Sequence, residues 1–159
     1  MPTDNKHSER LQIHFTHPMP YEWSIGLYGS RFFQELKNRG RFVGIRCDGC
    51  GLVYVPPRRV CGPCFKELTE LVPLSDTGII TAFSVVNYPF IDPNTGSQRP
   101  IPYTYGYIRI DGADSIFSHI INETDVSKIR VGMKVRAVLK DKMHMQGNIQ
   151  DIKYFEIIG

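Results

Sequence analysis

The chain has 159 residues, 42% of them hydrophobic and 22% charged, with a formal net charge of +3. That length fits one compact unit or two small ones, the apolar share excludes wholesale disorder, and no apolar run approaches the ~20 residues a membrane span needs. The mild positive balance neither demands a nucleic-acid partner nor excludes one.

Residues 1–20 are polar, with scattered histidines and prolines, and read as a tail or extended arm. Residues 21–42 are strongly aromatic, through Tyr21, Trp23, Tyr28, Phe32, Phe33 and Phe42. Ser30 is placed to cap a helix over Arg31–Arg39, and Gly40 to end it. Phe32, Phe33 and Leu36 then share one face. Two readings stand: the face packs on the chain's own domain, or it docks to a partner, because a short helix ahead of a small ribbon has little to pack on. In the second reading Tyr21, Trp23, Tyr28, Phe32, Phe33 and Leu36 are the anchors.

Residues 43–70 carry the most specific signal. The chain has four cysteines, arranged as Cys47-x-x-Cys50 and Cys61-x-x-Cys64 with ten residues between the pairs. Two tight C-x-x-C turns facing each other across hairpins supply the four thiolates that a tetrahedral Zn²⁺ needs. Gly49 and Gly51 fall where the chain must fold back on itself. Val43–Arg46 and Leu52–Pro56 read as the strands entering and leaving the first turn, and Phe65–Leu71 as a turn of helix or a loop. Four thiolates leave the metal no open position, so the expectation is one structural zinc per chain. Two disulfides are the alternative, but the polar N-terminal stretch does not indicate an oxidising compartment, and the expected location is cytoplasmic. Cys61-Gly62-Pro63-Cys64 also has the letters of a thioredoxin redox motif. That chemistry needs a β-α-β frame, whereas Pro56 and Pro57 lie just upstream and a second C-x-x-C is close enough to share a metal.

Residues 71–159 turn to β patterning. A long strand from Ile79 through Tyr88 is followed by a proline-rich loop, Pro89–Pro102, whose length makes it a functional candidate. Tyr103–Ile110 forms the second strand, turned by Asp111-Gly112 into a third, Ser115–Ile121. A helical turn from Thr124 or Asp125 to Lys128, then strands at Lys134–Leu139 and Asp151–Ile158, complete a five-stranded OB-fold barrel. The fold class is therefore mainly β: a helical segment, a zinc ribbon and an OB fold.

Catalytic signatures are missing. The sequence has no G-x-S-x-G elbow, Gly-rich phosphate loop or H-E-x-x-H, and the metal takes all four thiols. His119 in a strand and His144 in a loop read as satisfied or surface residues, and Asp111 and Asp114 as turn residues. No catalysis is expected from this chain alone.

Tyr21-x-Trp23-Ser24-x-Gly26, Ser30-Arg31-Phe32, the cysteine turns, Pro56-Pro57-Arg58, Cys64-Phe65, Asp76-Thr77-Gly78 and Val131-Gly132-Met133-Lys134-Val135 together resemble the acyl-CoA-associated zinc-ribbon/OB-fold proteins, domain-of-unknown-function family 35. The resemblance spans residues 21–158. It implies an N-terminal helical segment, a rubredoxin-like ribbon holding zinc on Cys47, Cys50, Cys61 and Cys64, and an OB fold. It further implies a non-catalytic subunit in a hetero-oligomer with a thiolase-superfamily enzyme or a related acyl-CoA lyase, bridging subunits or completing a CoA-ester site. The segment Asp141–Gln150, with Met143-His144-Met145, departs from the family pattern.

Two functions follow. As an accessory subunit, the chain offers Arg58, Arg59 and Arg99 as phosphate contacts for a CoA ester, with Tyr103 and Tyr105 on the adjoining strand. As a single-stranded nucleic-acid module, it offers Tyr103, Tyr105, Tyr107 and Arg109 on one strand face, but its near-balanced and dispersed charge argues against that use.

Overall fold

The computed structural model describes residues 24–91 and 96–159. The expected arm over residues 1–20, and Tyr21 and Trp23, lie outside the described residues.

Helix α1 spans Gly26–Arg39. It begins a turn earlier than Ser30 suggests, because Ser24 Oγ accepts the Gly26 N–H at 3.3 Å and Gly26 turns the chain into the helix at φ 71°. Its end is where expected: Gly40 adopts the left-handed conformation and donates its N–H to the Leu36 carbonyl. The ribbon sheet follows, with β1 Phe42–Arg46, β2 Val53–Tyr54 and β3 Glu70–Leu74 in the order β2-β1-β3. Phe65 to Thr69 form the loop expected after Cys64, and β3, which takes in the last two residues of that stretch, is a strand the expectation lacked. Pro73 hides it in the sequence, yet Pro73 pairs opposite Val43 on an edge strand, where a missing N–H is tolerated.

The barrel comprises β4 Thr77–Val86, β5 Tyr103–Ile110, β6 Phe117–Ile121, β7 Lys134–Leu139 and β8 Ile152–Ile157, closed in the order β4-β5-β6-β8-β7. A single 3-10 turn, Val126–Lys128, stands between the third and fourth barrel strands and is capped by Asp125. The barrel closes at Asp76-Thr77-Gly78. Gly78 pairs with both Ile110 and Val135, and a Cβ there would stand 2.5 Å from the Arg109 carbonyl oxygen. Only glycine lets three strands meet so closely.

The helix is not a free docking element. Phe32 and Leu36 are fully buried in the barrel's own core, with Phe42, Phe117, Phe155 and Ile152, and Phe33 packs at its edge. The expected partner role of Phe32, Phe33 and Leu36 is corrected accordingly: the open end of the barrel supplies the surface that the ribbon alone lacks. The ribbon is clamped to the same barrel. Asp114 Oδ2 accepts the Val53 N–H at 2.8 Å, and Ser115 Oγ accepts the Val55 N–H at 2.7 Å.

Asp141–Gln150 forms two short turns folded over a buried carboxylate. Asp151 is fully buried, and its oxygens accept the N–H groups of Gln146, Gly147 and Asn148. Burial alone would raise its pKa, but the three N–H donors and Lys140 nearby outweigh it and hold the carboxyl below its ordinary value. Gly147 in turn lies against Lys37 and the Phe33 carbonyl, so this segment is a platform under the helix. A group whose folded pKa is depressed stabilises fully above the ordinary carboxylate range and loses that contribution as pH falls through its folded value. Asp151→Asn is therefore expected to lower unfolding stability by about 2 kcal/mol at neutral pH. The gap to the wild type should narrow below about pH 4, as read by urea titrations across that range.

Candidate metal centre and ligand-facing surfaces

The two cysteine pairs sit on matching backbone turns. Gly51 donates its N–H to the Cys47 carbonyl at 2.8 Å, and Phe65 donates to the Cys61 carbonyl at 3.0 Å. Each turn is closed by a second backbone bond across it: Cys47 N–H to Leu52 O and Cys61 N–H to Lys66 O, both 2.9 Å. Gly51 and Phe65 occupy the same left-handed position, at φ 76° and 56°. At that angle a phenylalanine is strained where glycine is at ease.

These turns bring Cys47, Cys50, Cys61 and Cys64 together, with all four Sγ atoms within 4.8 Å of one another. Sulfurs ~2.3 Å from one ion at tetrahedral angles stand about 3.8 Å apart, so the cluster has the dimensions of a four-thiolate metal site. Cys50 and Cys61 approach to 3.5 Å. The cysteines are placed to bind one metal ion, and the thioredoxin-like letters Cys61-Gly62-Pro63-Cys64 form the second ribbon turn. Cys47 and Cys61 are fully buried. The Tyr54 hydroxyl, 3.3 Å from Cys61 Sγ, holds that thiol down at about 6, whereas the neighbouring Cys50 sulfur pushes Cys64 up to about 12. Negative charge on one sulfur thus opposes charge on the next, and a cation at the centre is what lets all four ionise.

Around this cluster the ribbon builds a small core of Ile45, Tyr54 and Leu68, flanked by Tyr28 from α1. Tyr28 is fixed by donating to the Leu68 carbonyl at 3.1 Å, which ties the helix to the ribbon. Arg58 lies with its guanidinium carbon 3.7 Å above the centre of the Tyr54 ring, and Arg59 pairs with Glu67 at 3.2 Å.

The remaining candidates gather on the barrel. Thr104, Gly106, Ile108 and Ile110 of β5 point inward, leaving Tyr103, Tyr105, Tyr107 and Arg109 on the outer register. Tyr105 and Tyr107 meet edge to face at 6.3 Å. The proline-rich loop doubles back on itself: Ile91 bridges to Gln98, and Arg99 N–H reaches the Phe90 carbonyl at 3.3 Å. Its base rests on Tyr103, with Phe90 6.1 Å away and Arg99 5.3 Å above the ring. A cleft of about 290 Å³ beside it is lined by Arg99, Tyr105, Ser118, His119 and Gln150, among others. The five expected ligand contacts therefore divide: Arg58 and Arg59 belong to the ribbon, and Arg99, Tyr103 and Tyr105 to the barrel. His119 is buried, stacked on Phe117 at 6.2 Å, and burial pushes its pKa down.

Sequence reasoning missed Tyr54, whose adjacency to Cys61 exists only once β2 pairs with β1. It also missed the exposed apolar groups of the loop, Tyr88, Phe90, Ile91 and Ile101. Among the described residues, no helix is long and apolar enough to cross a membrane.

Residues 35–70 match the family model described as the ChsH2 rubredoxin-like zinc ribbon domain, and residues 71–140 the ChsH2 C-terminal OB-fold domain. The chain is similar to a DUF35 domain-containing scaffold protein of Methanocaldococcus jannaschii, 29% identical over 111 residues covering 69% of this chain and 75% of that one. A scaffold protein of the same description from Methanothermobacter thermautotrophicus is 27% identical over 126 residues, 78% and 90% of the two chains. Benzoylsuccinyl-CoA thiolase subunit BbsA of Thauera aromatica is 33% identical over 78 residues, 48% of this chain and 49% of that subunit. Among solved structures, the Ltp2-ChsH2(DUF35) aldolase superposes with TM-score 0.61 at 19% identity, covering 86% of this chain and 98% of that one. A DUF35 protein of unknown function from Sulfolobus solfataricus gives 0.57 at 19% identity, with 83% and 84% covered. With its ribbon and barrel matched in succession and its four cysteines gathered as a ribbon requires, the chain belongs to the ChsH2/DUF35 family of zinc-ribbon and OB-fold proteins.

Proposed function

We propose that this chain is a non-catalytic accessory subunit of a thiolase-type acyl-CoA enzyme, holding one structural zinc and presenting a docking face and a CoA-ester-facing loop. The observation that carries the reading is the fate of the thiols. Acyl transfer of the thiolase type requires a nucleophilic cysteine, and all four cysteines of the sequence converge on one metal-sized cluster. Catalysis then falls to a partner. The relatives' names support this: two are scaffold proteins and one is a thiolase subunit.

Zinc bound by the four thiolates supplies a rigid tetrahedral tie without an open coordination position. For docking, α1 keeps only its outer face. Ile25 and Leu27 are more than half exposed at its start, and Phe65 is 81% exposed on the second cysteine turn. Between helix and ribbon runs a cleft of about 360 Å³ lined by Leu27, Tyr28, Arg59 and Glu67. A strained, solvent-facing phenylalanine on the ribbon and exposed apolar positions at the helix start support partner contact, since aromatic anchors carry most interface energy. On the barrel, Arg99 and Tyr105 at the foot of an apolar loop suit a phosphorylated, partly apolar ester.

Elemental analysis of protein purified without chelators should find one zinc per chain, and Cys47→Ser should lose it and loosen the ribbon. Protein free of any metal would overturn this part of the reading.

Co-expression with a thiolase-type subunit should yield a stable complex, while the chain alone shows no acyl transfer. Leu27→Asp combined with Phe65→Asp should weaken co-purification at least tenfold, leaving zinc content and far-ultraviolet circular dichroism unchanged. Removing residues through 42 is unsuitable, because Phe32, Leu36 and Phe42 belong to the core. Full-strength binding by the double variant would refute the docking face, and acyl transfer by the isolated chain would refute the accessory role.

In the assembled complex, Arg99→Ala and Tyr105→Ala should each raise the KM for the CoA ester several-fold, with Arg99→Ala the larger at about tenfold. Unchanged kinetics in both variants would remove the loop from the ester site.

A further inference from the structure

We propose that Tyr54 and Arg58 act as a positioning pair for the metal centre, in which the Tyr54 hydroxyl donates to the Cys61 thiolate and Arg58 strengthens that donor from above the ring. This rests on the zinc reading above.

Tyr54 projects from β2 into the ribbon's small core, packed with Ile45, Cys47, Cys61 and Leu68. Its hydroxyl oxygen stands 3.3 Å from Cys61 Sγ and accepts the Gly62 N–H, also at 3.3 Å. A thiolate that ligates a metal carries no proton. The phenolic hydrogen is then the only one available between oxygen and sulfur, and the Gly62 N–H holds the oxygen so that this hydrogen points at Sγ. The guanidinium of Arg58 lies 3.7 Å over the same ring. A cation at the ring face draws electron density from the phenol and makes its O–H a stronger donor. Gly62 makes room for this arrangement, since a Cβ there would stand 2.9 Å from Arg58 Nη2. Three residues outside the ligand set thus converge on one sulfur, and that sulfur is fully buried, where water cannot stabilise its charge.

A hydrogen bond to a metal-bound thiolate has two consequences. It stabilises the buried anion and so tightens metal retention, and it lowers the energy of the sulfur lone pair. Outer-shell groups of this kind are worth tenfold or more in metal affinity.

The test uses the full chain loaded with Zn²⁺ and, separately, with Co²⁺ as a spectroscopic probe. Tyr54→Phe keeps the ring in the core and deletes only the hydroxyl. It should lower zinc affinity roughly tenfold in competition with a chromophoric chelator. It should also move the sulfur-to-cobalt charge-transfer band to longer wavelength, a shift that a merely structural role would not produce. Arg58→Met should move both readouts in the same direction by a few-fold and a smaller shift, and Arg58→Lys should restore them towards wild type. Because Arg58 is exposed, its two variants decide the matter even where Tyr54→Phe folds poorly. Unchanged zinc affinity and an unmoved cobalt band in well-folded Tyr54→Phe overturn the pair while leaving the zinc reading intact. A wild-type chain that takes up neither ion overturns the zinc reading and the pair together.

Discussion

Phe32 from the helix, Phe42 from the ribbon, and Phe117 and Phe155 from the barrel meet with neighbouring ring centroids 5.8 to 6.3 Å apart, in tilted and edge-to-face arrangements. Each ring comes from a different element, so none of these elements can complete its own apolar face alone. Removing one such ring from a packed interior costs about 3–5 kcal/mol, a large part of a small protein's whole stability. The helix therefore closes the barrel's open end, and the ribbon strand carrying Phe42 is drawn in beside it. Everything that the chain can offer a partner has to come from what this cluster leaves outside.

The ribbon is the weakest part of that arrangement if the aromatic cluster is considered alone. Its own core consists of a few apolar residues around four sulfurs, too little to hold strands together without a metal tie. Two devices offset this. Asp114 and Ser115, in the turn between β5 and β6, pair with the backbone of Val53 and Val55 and fix the ribbon's edge to the barrel. Tyr28 reaches from the helix to the Leu68 carbonyl on the far side. The cysteine turns are thus held from both flanks. The outer helix face, the second cysteine turn and the barrel are thereby held in fixed relation to one another.

Much of this was legible in the sequence because its signals are local. The spacing of Cys47, Cys50, Cys61 and Cys64 stated the metal cluster, Gly40 stated the helix end, and alternation along Tyr103–Ile110 stated which side of β5 faces out. What could not be read depends on contacts distant in sequence. Nothing near Phe32 or Leu36 shows that β6 and β8 will cover them, so their burial was open to the docking alternative. Pro73 argues against a strand until the pairing order puts β3 at an edge. Asp151 looks like a strand-start acid, and only the folded chain brings the N–H groups of Gln146, Gly147 and Asn148 onto its oxygens. The Tyr54 contact with Cys61 belongs to the same class, for seven residues and a sheet pairing separate the two.

The polar groups buried among the described residues are each tied into the fold. Thr104 donates to the Glu123 carbonyl, Asp151 anchors the platform beneath the helix, and His119 stacks on Phe117 with its edge towards Phe155. His119 has its pKa lowered by burial, and its Nδ1 is buried without a hydrogen-bond partner. Its ring extends the aromatic cluster. Among the described residues these buried polar groups serve the packing and turn closure that hold the barrel and its platform together.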